Sequence, residues 1–278
     1  MVSVSGTSST NSKTIYAMKV SGTATINGDQ TLTVSSGGLI FNGGEVAGGT
    51  GGKLAFSSGA MIYAGSDNPG TISSAIQTSG GLVKFGPGSL VLSGDNSQLT
   101  GGIIVGTGTL SVQSPSALGP GGAGNSAVVA AGAAMEIRGG IVLGSVPVTI
   151  NGAGTSGGGA LCNVEDYNEM TGTIILGSDA QIDTAEDATL TLSGGIQTNT
   201  FNLTKTGGGT LALSGSSGAF LGSLAVAEGT LALQHSNALG SGGGSVVVSD
   251  GAALAIQGGV NIPAIPLTVS GAGTGSGG

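Results

Sequence analysis

Several stretches of this chain are built from residue types that do chemistry. Gly152-Ala153-Gly154-Thr155-Ser156-Gly157 follows an apolar, strand-like run and matches G-x-G-x-x-G. That pattern lets a backbone approach a pyrophosphate held on a helix N-terminus. Shifted by two residues, Gly154-Thr155-Ser156-Gly157-Gly158 matches G-x-S-x-G. Asp179, Asp183 and His235 follow it in the order of a hydrolase triad. Half of the 14 carboxylates, Glu165, Asp166, Glu169, Asp179, Asp183, Glu186 and Asp187, lie within one run of 23 residues. Oxygen ligands of this kind suit Ca²⁺, and a pair of carboxylates suits glycoside hydrolysis.

Each of these chemistries needs a partner element. Both glycine motifs require a helix immediately after them, and the chain continues Gly158-Gly159-Ala160-Leu161-Cys162. A second copy of the first motif, starting at Gly271, ends on Ser276 instead of glycine. With 59 glycines in 278 residues, chance matches are expected, so both motifs read as turns. No catalytic residue and no cofactor is assigned, and the chain reads as a non-enzyme. The calcium nonapeptide G-G-x-G-x-D is absent, which leaves Asp179, Asp183, Glu186 and Asp187 as weak metal candidates on a solvated acidic loop. For sugar chemistry the basic partners Arg138 and His235 stand alone, and the platforms Tyr16, Tyr63 and Tyr167 are few. A carbohydrate-binding or carbohydrate-cleaving site in 165–187 is the alternative function. His235 takes the place of Ser114 in an earlier copy of the sequence and reads as an exposed corner. Cys162 takes the place of Phe41 and reads as a small buried group. One cysteine excludes an internal disulfide and a Cys-based metal site.

The composition bounds what holds these residues. Net charge is −8, and Lys13, Lys19, Lys53, Lys84, Lys205 and Arg138 are scattered singly. Nucleic-acid binding needs clustered cations and is excluded; anionic lipid is disfavoured for the same reason. Glycine is roughly three times its usual ~7% share, which disfavours helices. Collagen's period of three is absent, and no run of about 20 apolar residues exists to form a membrane helix. The 38% of hydrophobic residues argues against a flexible linker. Residues 1–6 lack the basic and apolar regions of a signal peptide, so the chain reads either as a cytosolic protein or as an excised segment carrying a start methionine.

An internal repeat organises the whole. Leu82-Val83-Lys84-Phe85-Gly86-Pro87-Gly88-Ser89-Leu90-Val91-Leu92-Ser93-Gly94 reappears as Leu203-Thr204-Lys205-Thr206-Gly207-Gly208-Gly209-Thr210-Leu211-Ala212-Leu213-Ser214-Gly215. Gly108-Thr109-Leu110 is matched by Gly229-Thr230-Leu231, and Ala117-Leu118-Gly119 by Ala238-Leu239-Gly240. The repeat motifs are 82–119 and 203–240. They sit in units of about 120 residues, approximately 25–148 and 149–268, with a truncated third copy, in one segment spanning 1–278. The marker positions are Leu82, Lys84, Gly86, Gly88, Leu90, Leu92, Gly108 and Leu110. In the second copy they are Leu203, Lys205, Gly207, Gly209, Leu211, Leu213, Gly229 and Leu231.

Short runs such as Thr189-Leu190-Thr191-Leu192-Ser193 alternate with period 2 and end in Gly, Asn or Ser. Strands this short bury a core only by stacking as coils. The expected fold is all-β: a right-handed, single-stranded parallel β-helix of about a dozen coils, at roughly 20–25 residues each, with aliphatic ladders inside and glycine at the corners. An antiparallel β-sandwich would call for longer strands and more aromatics than the 3% present.

The order Leu-x-Lys-x-Gly-x-Gly-x-Leu-x-Leu-Ser-Gly, then Gly-Thr-Leu, then Ala-Leu-Gly resembles the autotransporter-associated β-strand repeat, also called the passenger-associated transport repeat. The resemblance implies a passenger segment of a bacterial type V secreted protein. Such passengers are threaded through an outer-membrane β-barrel translocator and displayed at the cell surface of a Gram-negative-type bacterium. The expectation is therefore a structural, adhesin-like stalk that supports export, folding and display. Its partners would be the translocator of the parent protein, a host-cell, cell-surface or glycan ligand bound through other regions, and further copies associating end to end.

Overall fold

A computed structural model describes residues 1–66, 68–122, 124–218 and 220–271. Ser276, and with it the end of the second glycine motif and of the third copy, lies outside the described residues. The chain divides into two compact units, Met1–Val128 and Val129–Gly278.

In the first unit the described pairings are all parallel, and the strands fall into three stacks. One stack runs through Val2–Val4, Met18–Val20, Gly38–Phe41, Ala60–Ala64, Leu82–Phe85 and Ile103–Val105. A second runs through Thr7–Thr10, Thr23–Ile26, Glu45–Gly48, Gly70–Ile72, Ser89–Leu92 and Gly108–Val112. The third runs through Lys13–Ile15, Thr31–Val34, Lys53–Phe56, Ala75–Thr78 and Gln98–Leu99. Inside a stack, backbone N–H and C=O groups pair with the coils on either side, so strands of two to five residues are satisfied without any long strand.

The second unit repeats the plan. One stack joins Ala133–Ile137, Leu161–Asn163, Ile174–Thr184, Leu203–Thr206, Ser223–Val226, Ser245–Val248 and Leu267–Val269. Another joins Val142–Leu143, Tyr167–Met170, Thr189–Leu192, Thr210–Leu213, Thr230–Leu233 and Ala253–Ile256. The 11-residue strand Ile174–Thr184 turns a corner: its first part pairs with Val148–Gly152 and its later part with Leu203–Thr206. Both units are therefore parallel β-solenoids, and the fold class expected from the sequence is the one observed.

Period-2 alternation puts one residue in two inside, and register stacks those residues into columns. Leu90 pairs with Leu110, and Leu92 with Val112, all fully buried. In the second unit Leu190, Leu211 and Leu231 form one column, and Leu192, Leu213 and Leu233 the next. No described helix is long and apolar enough to cross a membrane.

Candidate functional site

The repeat markers converge on an element that period 2 predicts and charge conceals. Lys84 lies two residues after Leu82, on the same inward face of its strand. It is 0% exposed, and so is Lys205 in the second copy. Each lysine occupies a rung of an otherwise aliphatic column. Lys84 stands between Ile62 and Val105, and Lys205 between Ile182 and Val226. A buried ammonium is expensive unless its protons are accepted. Here the acceptors are backbone carbonyls. Lys84 Nζ donates to Gly86 O at 2.8 Å, to Thr107 O of the next coil at 2.7 Å, and to Gly88 O. Lys205 Nζ donates to Thr206 O at 2.8 Å and Gly207 O at 2.6 Å.

The glycines around each lysine have a matching reason. Gly108 has φ +65, and a β-carbon there would run into Lys84 Nζ and the carbonyls of Gly86 and Gly88. Gly229 has the same φ, and its β-carbon would strike the carbonyls of Gly207 and Gly209. The pattern Lys-x-Gly-x-Gly with a later Gly-Thr-Leu thus describes a cap: an ammonium, a turn whose carbonyls point inward, and a second turn that must approach without a side chain. Burial pushes both ammonium groups down to about 8. Around Lys205 the charges of Asp183 and Glu228 pull the other way. Glu228 also accepts the Gly207 N–H at 3.1 Å, in the place where the first copy has Thr107.

A second polar bridge escaped the sequence reading altogether. Asn96 is fully buried; its Oδ1 accepts Ile76 N–H at 3.0 Å and its Nδ2 donates to Ala117 O at 3.0 Å, joining three successive coils. At the equivalent position the second copy has Ser217, whose Oγ accepts Ile196 N–H at 3.1 Å and donates to Ala238 O at 2.6 Å. The signal was a shared place in the repeat, hidden by two different residue types.

The remaining candidates are dispersed. Among the described residues no three Asp, Glu, His or Cys side chains gather in metal-binding geometry. Asp179 is exposed and accepts the Asn202 N–H at 2.8 Å and Nδ2 at 3.2 Å; these two hydrogen bonds hold its carboxyl below the usual range. Asp183 accepts Thr206 Oγ1 at 2.9 Å. Glu186 and Asp187 are exposed on a turn, where Asp187 has φ +63. Glu165 and Glu136 both face Arg138, at 3.8 and 3.2 Å. His235 is half-buried at a corner, with Nδ1 accepting the Asn237 N–H at 3.0 Å. Ser156 lies in the three-residue 3₁₀ turn Thr155–Gly157, flanked by Gly154 and Gly159, which pair across it, so neither glycine motif opens a helix. Cys162 is buried, donates to Gly158 O at 3.0 Å and Gly159 O at 3.2 Å, and has its thiol pushed up to about 12, chiefly by burial and then by Asp183 and Glu136. A thiol held in this way is inert.

The family model of the passenger-associated-transport-repeat matches residues 82–112 and 203–233. The chain carries two of these repeats. Each match starts at the leucine before the buried lysine and includes that lysine, its carbonyl acceptors and the close-approach glycine. No curated protein and no solved structure matches the chain. The repeat, on a parallel β-solenoid, supports an autotransporter passenger stalk, and it implies linkage to a translocator in the parent protein and a secreted or surface-exposed setting.

Proposed function

We propose that the chain is a non-enzymatic stalk that promotes export and folding of the passenger it belongs to and holds an adhesive part away from the outer membrane. The supporting observation is the location of the repeat's marker residues. The leucine and lysine markers are buried in the coil stack with Gly88, Gly108, Gly209 and Gly229, and Lys84 reaches the next coil through Thr107 O. A chain emerging in an extended state would fold coil by coil, and the lysine cap gives each repeat a coil that locks once its glycine turns are in place.

Fusing the chain between a signal sequence and an outer-membrane β-barrel tests this reading. Surface display is read by protease accessibility on intact cells. The wild-type chain is expected at the surface in a protease-resistant form. The double variant Lys84→Met, Lys205→Met is expected to show a several-fold lower resistant fraction. Equal display and resistance for both would remove the export and folding role.

A further inference from the structure

The outer face of the first unit carries an apolar stripe that its fold does not need. Two columns of outward-pointing residues run side by side there. One is Lys19, Ile40, Tyr63, Phe85, in direct register. The other is Gly38, Met61, Val83, Ile104. Ile40 is 37% exposed, Met61 49%, Phe85 38% and Ile104 47%. The rings of Tyr63 and Phe85 meet edge to face, 5.5 Å apart. Two of only eight aromatic side chains in the sequence therefore stack on the outside of the molecule.

The second repeat shows what the fold requires at these places. In matching register Met61 and Tyr63 are replaced by Gln181 and Asp183, Val83 and Phe85 by Thr204 and Thr206, and Ile104 by Ala225. There Gln181 Nε2 donates to Thr206 Oγ1 at 3.0 Å, and Thr206 Oγ1 donates to Asp183 at 2.9 Å. The same parallel register is kept there under a smaller and more polar surface, with Cys162 in the place of Ile40, so the large apolar residues of the first copy answer to something outside the coil.

We infer that this stripe is the centre of a lateral interface between two copies of the chain, packed stripe to stripe about a two-fold axis. Three features favour a second copy. The stripe's exposed apolar area is on the order of 400 Å², the size of a monomer's largest and often functional patch, and about half of the ~800 Å² per partner in a standard interface, as an apolar core within a polar rim should be. Its two columns hold no carboxylate, although the chain has net charge −8, so it is a place where two such chains can meet without opposed acids. Face-to-face packing of two outward sheet faces at about 10 Å is also an ordinary arrangement for such a surface, and a two-fold axis sets the same patch on both copies.

The test is sedimentation velocity of the full chain over a concentration series at low and high salt. Wild type is expected to shift toward twice the monomer mass at high micromolar concentration. The shift should strengthen with salt, because salt screens the repulsion between two acidic chains and leaves apolar contact in place. The variant Met61→Gln, Tyr63→Asp, Val83→Thr, Phe85→Thr, Ile104→Ala carries the second copy's residues and is expected to stay monomeric. The milder pair Met61→Gln, Ile104→Ala is expected to weaken association at least several-fold while keeping the wild-type circular dichroism. A wild type that is monomeric throughout would overturn the inference and leave the stripe to a different partner. Association that persists in both variants would overturn it as well, by placing the contact elsewhere.

Discussion

Lys84 and Lys205 combine two effects of opposite sign. Burial disfavours the ammonium, and inward carbonyls compensate by taking its protons. The first effect fixes the pH response. In the folded chain both groups titrate near 8, against the ordinary 10.5. Below about 8 both states are protonated and the burial penalty is fully present. Between about 8 and 10.5 the unfolded chain still binds protons that the folded chain has released, so stability rises with pH across that window. Thermal unfolding of the wild type should therefore gain a few degrees, relative to Lys84→Met, Lys205→Met, between pH 8 and 10.5. A constant difference across the window would contradict the buried-ammonium account. At pH 7 the single change Lys84→Met takes the donor from Thr107 O, leaves Gly86 O and Gly88 O with only the longer bonds from Thr107 Oγ1 and Thr109 N–H, and should cost about 1–3 kcal/mol, read from denaturant midpoints. Gly108→Ala attacks the same cap from outside. With φ at +65 and no room for a β-carbon, it should cost more than about 1 kcal/mol.

At the scale of the element, short strands are tied across coils by polar bridges at the corners as well as by leucine columns. Asn96→Ala frees Ile76 N–H and Ala117 C=O, and Ser217→Ala frees Ile196 N–H and Ala238 C=O. Each should destabilise by about 1–3 kcal/mol, whereas Asp179→Ala, on an exposed carboxylate, should stay within about 0.5 kcal/mol. Equal effects from all three in urea titrations would deny the bridges their role. The contrast also marks what was legible in the sequence. The strands, their parallel stacking and the leucine columns followed from period-2 alternation and the repeat offset, because burial and register act on every second residue alike. The site was only half legible. The lysines were visible as repeat markers, but a single charge in a strand reads as solvated, and only the carbonyls of distant turns make its burial tolerable. Asn96 and Ser217 were illegible because either an amide or a hydroxyl can accept one N–H and donate to one C=O. The acidic run looked like a site because it is dense in sequence. In the solenoid, successive carboxylates fall on different coils and corners, and Asp179, Asp183 and Glu165 each find a separate partner.

For the molecule as a whole, stacked coils make stability a nearest-neighbour quantity, since a coil touches little beyond the coils before and after it. Removal of one lysine cap should then be felt over a few coils and no farther. Hydrogen exchange measures this directly. In Lys84→Met, protection should fall in Ala60–Ala64, Leu82–Phe85 and Ile103–Val105, the strands that flank the lost cap. Protection in Leu203–Thr206 and Ser223–Val226 should stay at its wild-type level. Lys205→Met should produce the reverse pattern, centred on Ile174–Thr184, Leu203–Thr206 and Ser223–Val226. A uniform loss along the chain in either variant would mean that the coils open as one cooperative body. Each repeat would then be unable to lock on its own, which is the property the proposed role in folding during export depends on. Local loss confined to the capped coils would mean that the two repeats act as independent locks, each closing as soon as its own glycine turns have arrived.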